Sequence, residues 1–466
     1  MQQIILKRGL DIPVDGKAEK ALGSVCRPEV YHIVPDHYAG VTPKLDVKEG
    51  AKVKAGSPLF HDKTFENLLF TSPVSGTVKA IVRGDRRKVL SIDILADARI
   101  EYEVLSDQVP STKDEVKALL LRSGLWAVIK QRPYDCIALP TKEPRAIFIS
   151  SFDSAPLAPD YEWVLQGQLA TLQAAVSALN KVAPVYVGIR GGSRSTEFRE
   201  LKDCTLYEVF GPHPAGNVGV QINHVLPMAK GDTMWTINIQ DLALIGRLLT
   251  KGIVDMQKKV ALTGPLAYGK QYYNVLPGME YDSILRSNVH SEVTCRYIAG
   301  NVLTGKALES DKVTKDDVQG IPECISIYDN QLTVLSEGSE EHEFMGWLLP
   351  RFGSFHFGKT DPAAMLDCKL TRWLFGKPNY KWDARLKGGR RAIIVSGEYD
   401  KVFPMDIYPE YLIKAMIAGN LDKMEQLGAN EVAPEDFALC EYVCTSKMPL
   451  QQIVRDALDN MRKEIE

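Results

Sequence analysis

The chain has 466 residues, of which 45% are hydrophobic and 25% charged, as expected for a globular protein of about three domains. Its formal net charge of −3 argues against a nucleic-acid partner, because such proteins usually carry a basic excess. No apolar run reaches the length of about eighteen residues that a membrane helix needs. The first ten residues lack the pattern of a signal peptide, so we expect the eight cysteines to be reduced thiols.

Residues 45–82 form the first recognisable unit, a stretch of short apolar segments separated by turn residues. Gly50 and Gly56 bracket Val53, and a Ser-Pro-Val-Ser-Gly run follows at 72–76. Alternating apolar residues with glycine or proline at each reversal predict a series of tight hairpins. The pattern resembles the flattened β-barrel of biotinyl and lipoyl carrier domains.

Carrier domains bear their modified lysine at a hairpin tip, and Lys63 lies near the corresponding position. Asp62 before it is similar to a lipoyl motif, but the Met-Lys-Met of biotin carriers is missing. The return to Ser72 and Pro73 is also longer than in lipoyl domains. A carrier lysine and an ordinary surface lysine both stay open, and the spacing favours the second.

From Ser111 the apolar period becomes helical, and Ser111 with Asp114 predicts a capping box for a helix that ends near Gly124. Buried strands are then predicted at 145–149, 185–189, 206–210 and 234–239. Between them, Asp160 is expected to cap a helix to about residue 180, and Asp241 to cap another through residue 249. This β-α-β order predicts a Rossmann-like parallel α/β domain with right-handed crossovers.

The loop after the first of these strands, residues 150–157, contains no glycine, and no P-loop motif occurs. A dinucleotide site of the Rossmann type needs glycines there so that the phosphates can approach the helix N-terminus. The glycines at 188–192 follow the second strand and are a weak signal alone. We therefore expect no dinucleotide site of this type.

The second half of the chain predicts a smaller α+β unit and then helices. Short strands are expected at 259–262, 293–299 and 326–335, and a further strand at 391–395. Helices are predicted at 409–418, 421–427, 434–444 and 450–463, an arrangement typical of a small helical bundle. The division expected for the whole chain is 1–105, 106–255, 256–335 and 336–466.

Residues for metal or hydrolytic chemistry are not evident in the sequence. Cys440 and Cys444 are two thiols one helical turn apart, whereas a [4Fe–4S] cluster generally needs four, so we expect them to be buried apolar residues. The histidines lack zinc-site spacing. The loop 211–216, Gly-Pro-His-Pro-Ala-Gly, is a rigid turn that presents His213, for which a structural and a binding role are equally open.

Several long motifs together resemble one family, the NqrA subunit of the Na⁺-translocating NADH:quinone reductase; they lie at 9–13, 47–82, 211–219, 346–350, 397–407 and 439–444. The fold is also similar to the C subunit of the Rnf complex and the NADH-binding subunit of respiratory complex I. The resemblance implies a biotinyl/lipoyl-like barrel, a Rossmann-like domain, a β-grasp (SLBB-like) domain and a C-terminal helical bundle. It also implies a peripheral subunit on the cytoplasmic face of the inner membrane, in a six-subunit complex with the membrane-embedded NqrB subunit.

The family complex passes electrons from NADH to a quinone and exports Na⁺, with flavins and iron–sulfur centres that the resemblance places in partner subunits. For this chain the resemblance implies quinone as substrate and no tightly bound cofactor, catalytic residue or metal of its own. Quinone needs hydrogen-bond donors and an aromatic or apolar slot. The candidates are His37, Tyr38, Arg132, Tyr134 and His213.

Three alternatives stay open beside direct quinone binding. The loops at 35–40 and 131–134 that carry the first four candidates are equally suited to docking on the NqrB subunit. The chain as a whole is alternatively a biotin- or lipoate-type carrier module modified on Lys63. It is alternatively a stand-alone flavoprotein that oxidises NADH.

Overall fold

A computed structural model describes residues 1–106, 109–289, 293–310, 313, 321–338, 370, 374, 382–386 and 389–465. The motif at 346–350 and most of the region 336–400 lie outside these described residues. Within the described ranges, no helix has the length and apolarity that a membrane crossing requires.

The hairpin-rich stretch folds into two small antiparallel sheets, one of four strands and one of three. A positive φ of 100° at Gly56 is the kind of reversal that the sequence predicts there. The side chains of Leu59, Phe60 and Val78 from these sheets are buried in the hydrophobic core. The strands are β3 (Val30–Ile33), β4 (Pro43–Leu45), β5 (Lys52–Val53), β6 (Pro58–Asp62), β7 (Leu69–Thr71), β8 (Gly76–Arg83) and β9 (Val89–Ala96).

A seven-stranded sheet occupies the centre of the chain. Its first five strands in spatial order run parallel; the sixth pairs antiparallel with the fifth, and the seventh pairs antiparallel with the sixth. One of the five comes from the start of the chain, so the predicted unit 1–105 contributes a strand to this sheet. In spatial order the strands are β1 (Gln2–Ile5), β14 (Thr205–Phe210), β13 (Val185–Arg190), β12 (Ala146–Ser150), β15 (Met234–Asn238), β10 (Lys130–Arg132) and β11 (Cys136–Ile137).

This sheet separates two hydrophobic cores, because alternate residues of a strand point to opposite faces. Ile147 and Ile149 of β12 belong to one core, together with the barrel, whereas Phe148 belongs to the other, together with the C-terminal helices. The helices of the central unit are α1 (Lys113–Ser123), α2 (Tyr161–Val164), α3 (Leu169–Leu179), α4 (Thr196–Arg199), α5 (Val218–Val225) and α6 (Ile239–Lys251).

The caps of two predicted helices differ from the sequence-based expectation. Thr112 and Glu115, rather than Ser111 and Asp114, form the capping box of α1, although Gly124 ends that helix as predicted, with a φ of 76°. Asn238 caps α6 by accepting from the Gln240 amide, at 2.9 Å between the Gln240 nitrogen and the Asn238 Oδ1. The predicted caps were wrong because each true cap lies one residue or more away in the same polar stretch.

The single helix predicted from Asp160 to residue 180 is wrong, because the chain forms α2 and α3 with a break between them. Asp160 does cap the first, by accepting from the Trp163 amide. Gly167 then adopts a φ of 77°, a left-handed conformation that ends the helical path.

A six-stranded mixed sheet follows, in the spatial order β19-β18-β20-β16-β17-β2, with one short helix, α7 (Asp282–Leu285), packed beside it. One of its edge strands is again donated by the start of the chain. The strands are β2 (Leu22–Gly23), β16 (Lys258–Thr263), β17 (Tyr272–Val275), β18 (Cys295–Ala299), β19 (Lys306–Ala307) and β20 (Gln331–Ser336). The three strands predicted in this region are thus found: β16 is one residue longer at each end than predicted, whereas β18 and β20 begin later than predicted.

Four α-helices lie at the C-terminal end of the described chain: α8 (Pro409–Ile417), α9 (Leu421–Gln426), α10 (Ala438–Val443) and α11 (Leu450–Ile465). The predicted helix 434–444 is a 3-10 turn, Pro434–Phe437, that continues into α10. Further 3-10 turns are Pro35–His37, Asp85–Arg87, Leu125–Val128, Tyr399–Lys401 and Ala429–Glu431.

The strand predicted at 391–395 is wrong. These residues form no ladder with a sheet; instead the Arg391 amide donates to the Ser446 carbonyl at 2.8 Å, and the Ser446 hydroxyl donates to the Ala392 carbonyl at 2.9 Å. Only Ile393 packs on the core, while Ile394 and Val395 are exposed. The apolar run therefore does not correspond to a buried strand.

Two buried ionic contacts join the sheets to one another. Lys258 on β16 reaches Asp241 on α6, with 2.7 Å between Nζ and Oδ1 and both side chains almost wholly buried. His32 on β3 lies between Asp93 on β9, at 2.8 Å from Nδ1, and Glu280 of the mixed-sheet unit, at 3.2 Å from Nε2. Burial alone would lower the pKa of His32, but the two carboxylates raise it to about 9.

The raised pKa of His32 predicts a loss of stability at alkaline pH. The folded state holds the proton more tightly than the unfolded chain, so this stabilisation is complete below pH 6.5 and is lost as the pH rises through about 9. We expect urea unfolding of the wild type to lose up to about 3 kcal/mol across this window, and His32→Gln to lose markedly less. His224→Gln is the control, because its Nδ1 contacts a backbone carbonyl and no carboxylate. The same pH dependence in all three proteins would contradict the assignment.

Candidate functional site

The five candidate residues lie at three places in the fold. His37 and Tyr38 lie where the barrel meets the mixed sheet, Arg132 ends β10 and Tyr134 lies in the turn between β10 and β11, and His213 lies in the loop after β14. The first two places are linked by Tyr328, which the sequence did not single out.

Tyr38 is the centre of a group of aromatic rings. Its half-buried ring meets Phe70 edge to face, with 4.5 Å between the ring centroids, and lies 6.0 Å from Phe60. Phe60 and Phe70 are stacked on each other at 4.6 Å. Tyr328 approaches the same Tyr38 ring at 6.1 Å. We call Tyr38, Phe60, Phe70 and Tyr328 the aromatic cluster.

Strand β10 closes the other side of Tyr328. The Lys130 ammonium lies 5.4 Å from the centroid of the Tyr328 ring, a cation–π distance, and the Tyr328 hydroxyl donates to the Ala127 carbonyl at 2.8 Å. Tyr328 thus contacts both Tyr38 and, through Lys130, the strand that carries Arg132. The structure brings the two candidate loops to one residue.

Three hydrogen-bond donors around this cluster are not used by the protein itself. In the part of the chain that the structure describes, neither the Tyr38 hydroxyl nor the His37 ring has a hydrogen-bond partner, and the Lys130 ammonium has no ion pair. Burial, with Lys306 nearby, lowers the pKa of His37 to about 4, so the ring is neutral at pH 7. Burial also raises the pKa of Tyr38, which keeps its hydroxyl proton.

Arg132, by contrast, is fully committed to the protein. Its side chain is 1% exposed, and its two terminal nitrogens contact the Glu435 carboxylate at 2.9 Å, the Asp436 carboxylate at 2.7 Å and the Glu431 carbonyl at 2.9 Å. A planar guanidinium is suited to such a multiple contact, which a lysine cannot reproduce. Arg132 therefore fixes the C-terminal helical region to the end of β10.

Tyr134 belongs to the turn that follows. Tyr134 and Asp135 have positive φ angles of 78° and 47°, respectively. Arg455 on α11 donates to the Tyr134 carbonyl at 2.6 Å and to the Asp135 carbonyl at 3.2 Å. Burial would raise the pKa of Asp135, but Lys130, Arg132 and Arg455 together lower it. Lys130 is thus common to the aromatic cluster and to this group of charges.

His213 is buried and lies in a different set of contacts. Its Nδ1 is 3.0 Å from the Ser154 hydroxyl oxygen, which also accepts from the Gly216 amide at 2.7 Å. The His213 amide donates to Asp11 at 2.9 Å, and its carbonyl accepts from Leu10. Burial lowers the pKa of His213 to about 4, so the imidazole is neutral. These contacts hold the loop after β14 against the loop after β12 and the N-terminal segment.

Residues that bear on the other hypotheses are also described. Lys63 is exposed at the start of the loop between β6 and β7, and its amide donates to the Thr42 carbonyl at 2.8 Å. Cys440 and Cys444 are buried, and the Tyr399 hydroxyl donates to the Cys444 sulfur at 3.0 Å. The described ranges contain no group of three or more His, Cys, Asp or Glu side chains that is able to hold a metal ion.

Sequence reasoning missed Lys130, Phe60, Phe70 and Tyr328. Lys130 had a usable signal, because it is two residues before Arg132 on a strand and must share its face. For Phe60 and Phe70, the sequence indicated only a place in the core of the hairpins. Tyr328 had no local signal, because its role depends on packing between units that are distant in the sequence.

Loss of Arg132 is expected to destabilise the C-terminal region strongly. Arg132→Met leaves the Asp436 carboxylate, whose side chain has no exposed surface, without its cation, at a cost of about 3–5 kcal/mol. The control is Lys230→Met, because Lys230 joins the same two regions through Glu425 but is 81% exposed, so that water screens the ion pair and its loss is expected to cost far less. Urea unfolding measures the stability of the two variants, and limited proteolysis measures how readily each is cleaved after residue 389. Equal effects of the two substitutions would contradict the role of Arg132.

Comparisons with known proteins agree with the order of these units. Three family models match: the NqrA N-terminal barrel-sandwich hybrid domain at residues 4–97, the NqrA second alpha/beta domain at 111–254, and the NQRA C-terminal domain, of SLBB type, at 259–310. The first covers the barrel, the second the seven-stranded sheet and its helices, and the third most of the mixed sheet.

Relatives similar over the full length carry one name. Proteins of Haemophilus influenzae (strain PittEE), Neisseria meningitidis serogroup B and Pasteurella multocida are 31%, 30% and 30% identical. Each alignment covers 99% of this chain and 100% of the relative, and each relative is named as the A subunit of Na(+)-translocating NADH-quinone reductase. An NAD⁺-reducing [NiFe]-hydrogenase is 10% identical with a TM-score of 0.34 over 70% of this chain and 60% of its own, too little to support an argument. The chain belongs to the NqrA family, the A subunits of Na⁺-translocating NADH-quinone reductases.

Proposed function

We propose that this chain is part of a Na⁺-translocating NADH-quinone reductase and takes part in the reduction of quinone. Full-length similarity to relatives that carry this name supports the assignment. As a family member, the chain works within an oxidoreductase complex, and we propose that it does so by binding quinone or by shaping the quinone site. The isolated chain is then a binding protein without catalysis of its own.

The observation that carries the quinone proposal is the aromatic cluster with its unused donors. A quinone head group is a flat ring with two carbonyl oxygens, so it needs ring faces for stacking and donors at its two ends. Tyr38 and Tyr328 supply ring faces, and the Tyr38 hydroxyl, the His37 ring and the Lys130 ammonium supply donors. A cation near a carbonyl oxygen also stabilises the negative charge that develops there on reduction.

We assign different roles to the other candidates. Arg132 and Tyr134 act as positioning residues, since the guanidinium and the turn carbonyls are already bound to the C-terminal helices. They hold β10, and with it Lys130, against Tyr328. Of the five candidates, His213 is the least suited to contact quinone, because its ring is buried against Ser154. A His213→Gln variant separates a binding role from a structural one.

The wider setting is part of the same proposal. Flavins and iron–sulfur centres belong to partner subunits, and the chain docks peripherally on the membrane-embedded NqrB subunit at the cytoplasmic face. The spatial order β14-β13-β12-β15, all parallel, supports a Rossmann-like domain at 106–255, and the four C-terminal helices support a helical bundle within 336–466. The remaining division is a barrel at 1–105 and a β-grasp domain at 256–335.

Binding of a short-chain quinone analogue to the purified chain tests the site. We expect Tyr38→Leu and Lys130→Met each to weaken binding about 5- to 10-fold, because each removes a ring contact or a donor worth about 1 kcal/mol. Tyr268→Leu is the matched control, since this tyrosine is 62% exposed in the mixed-sheet unit and does not belong to the aromatic cluster. Titration calorimetry measures all four proteins.

Two outcomes would argue against this site. Wild-type affinity in both cluster variants removes the assignment to the aromatic cluster. Absence of binding by the wild-type chain, with binding restored in the assembled complex, shows that another protein of the complex completes or contains the site.

A further inference from the structure

Helix α8 exposes an apolar and aromatic stripe. Tyr408 lies just before the helix and is 69% exposed. Within the helix, Tyr411 is 56% and Ile417 50% exposed, and Lys414 between these two is exposed as well. Successive members of this set are three residues apart and so are neighbours, and the row winds obliquely across the exposed half of the helix. Two tyrosines and an isoleucine in one exposed row are unusual for a surface that meets only water.

The opposite face of α8 is packed into the protein. Leu412, Ile413 and Met416 are buried in the same core as α11 and the sheet strand β12. The stripe is therefore presented by a helix that is fixed along its whole length. A rigid surface loses little conformational entropy when a partner binds to it.

The charge of this surface is also asymmetric. Glu410, an acidic residue on α8, is 3% exposed, and its Oε1 accepts from the amides of Ser396 and Gly397, both at 3.0 Å. The exposed side of the helix thus carries Lys414 and no carboxylate. The same contact holds the segment 394–395 beside the start of the helix.

That segment extends the apolar surface. Ile394 and Val395 are 61% and 51% exposed, and Arg390 and Arg391 before them are exposed without an ion pair among the described residues. We call Ile394, Val395, Tyr408, Tyr411, Lys414 and Ile417 the α8 surface. Lys414 lies within the apolar row, Arg390 and Arg391 precede Ile394, and exposed Asp400 and Asp406 flank the start of α8. Such a surface complements an apolar patch bordered by both acidic and basic residues.

We propose that the α8 surface is where this chain docks on another protein of the reductase complex, one that presents an apolar patch bordered by charges of both signs. The proposal rests on the proposed function, since it names a contact within that complex. Tyrosine and arginine are the residues that most often dominate the energy of protein interfaces. An anionic lipid surface is disfavoured because exposed Asp400 and Asp406 flank the start of α8.

Co-purification with the affinity-tagged remaining subunits, co-expressed with this chain, tests the proposal. Tyr408→Ser/Tyr411→Ser/Ile417→Ser is expected to reduce the retained chain at least 10-fold, and Lys414→Glu several-fold. The control is Leu95→Ser/Val109→Ser/Tyr268→Ser, which removes three exposed apolar residues elsewhere and is expected to co-purify like the wild type. A melting temperature within about 2 °C of wild type shows that each variant is folded.

The outcomes separate the inference from the function on which it rests. If the wild-type chain is not retained, the proposed function fails and the docking surface with it. If the wild type and the triple α8 variant are retained equally, only the docking surface is overturned. Flotation of the wild type, but not of the variant, with vesicles of phosphatidylcholine and phosphatidylglycerol would assign the surface to lipid instead. A wild-type dimer that the triple variant makes monomeric would assign it to a second copy; either result overturns the proposal.

Discussion

The buried guanidinium of Arg132 is the contact on which the rest of the candidate site depends. Removing a charge from water costs several kcal/mol, and here two carboxylates and a carbonyl from the C-terminal region offset that cost. The contact fixes the end of β10 and the turn of Tyr134. The guanidinium of Arg132 is bound to the C-terminal region. Lys130 lies two residues earlier on the same face of the strand, and its ammonium faces the Tyr328 ring.

The aromatic cluster belongs to no single unit. The barrel provides Tyr38, Phe60 and Phe70, and the mixed-sheet unit provides Tyr328, while the cation beside the cluster, Lys130, comes from the seven-stranded sheet. The distances between these side chains depend on how the three units are held together. The contacts between units at His32 and at Lys258 help to hold them. A site of this kind is sensitive to relative movement of the units, whereas each unit alone contributes only part of a binding surface.

Much of the fold was predictable because its signals are local. Period-two alternation located the hairpins, short apolar runs located the buried parallel strands, and Gly124 marked a helix end. The errors arose where local signals compete: Ser111 and Thr112 are both good caps, and 391–395 has the composition of a strand but hydrogen-bonds to Ser446 instead. In the candidate site, His37, Tyr38 and Arg132 were proposed from motif and chemistry, and their part in quinone binding stays a prediction. Tyr328 and the commitment of Arg132 to Glu435 and Asp436 were not, since both depend on contacts across about 200 residues or more of sequence.

The central claim is that the aromatic cluster contacts the quinone head group. The most direct measurement is a cryo-EM map of the assembled complex with a bound quinone analogue. The account predicts density for the head group against Tyr38 and Tyr328, with a carbonyl oxygen within hydrogen-bond distance of the Lys130 ammonium or the Tyr38 hydroxyl. A head group enclosed entirely by other subunits, with the cluster left empty, would contradict it.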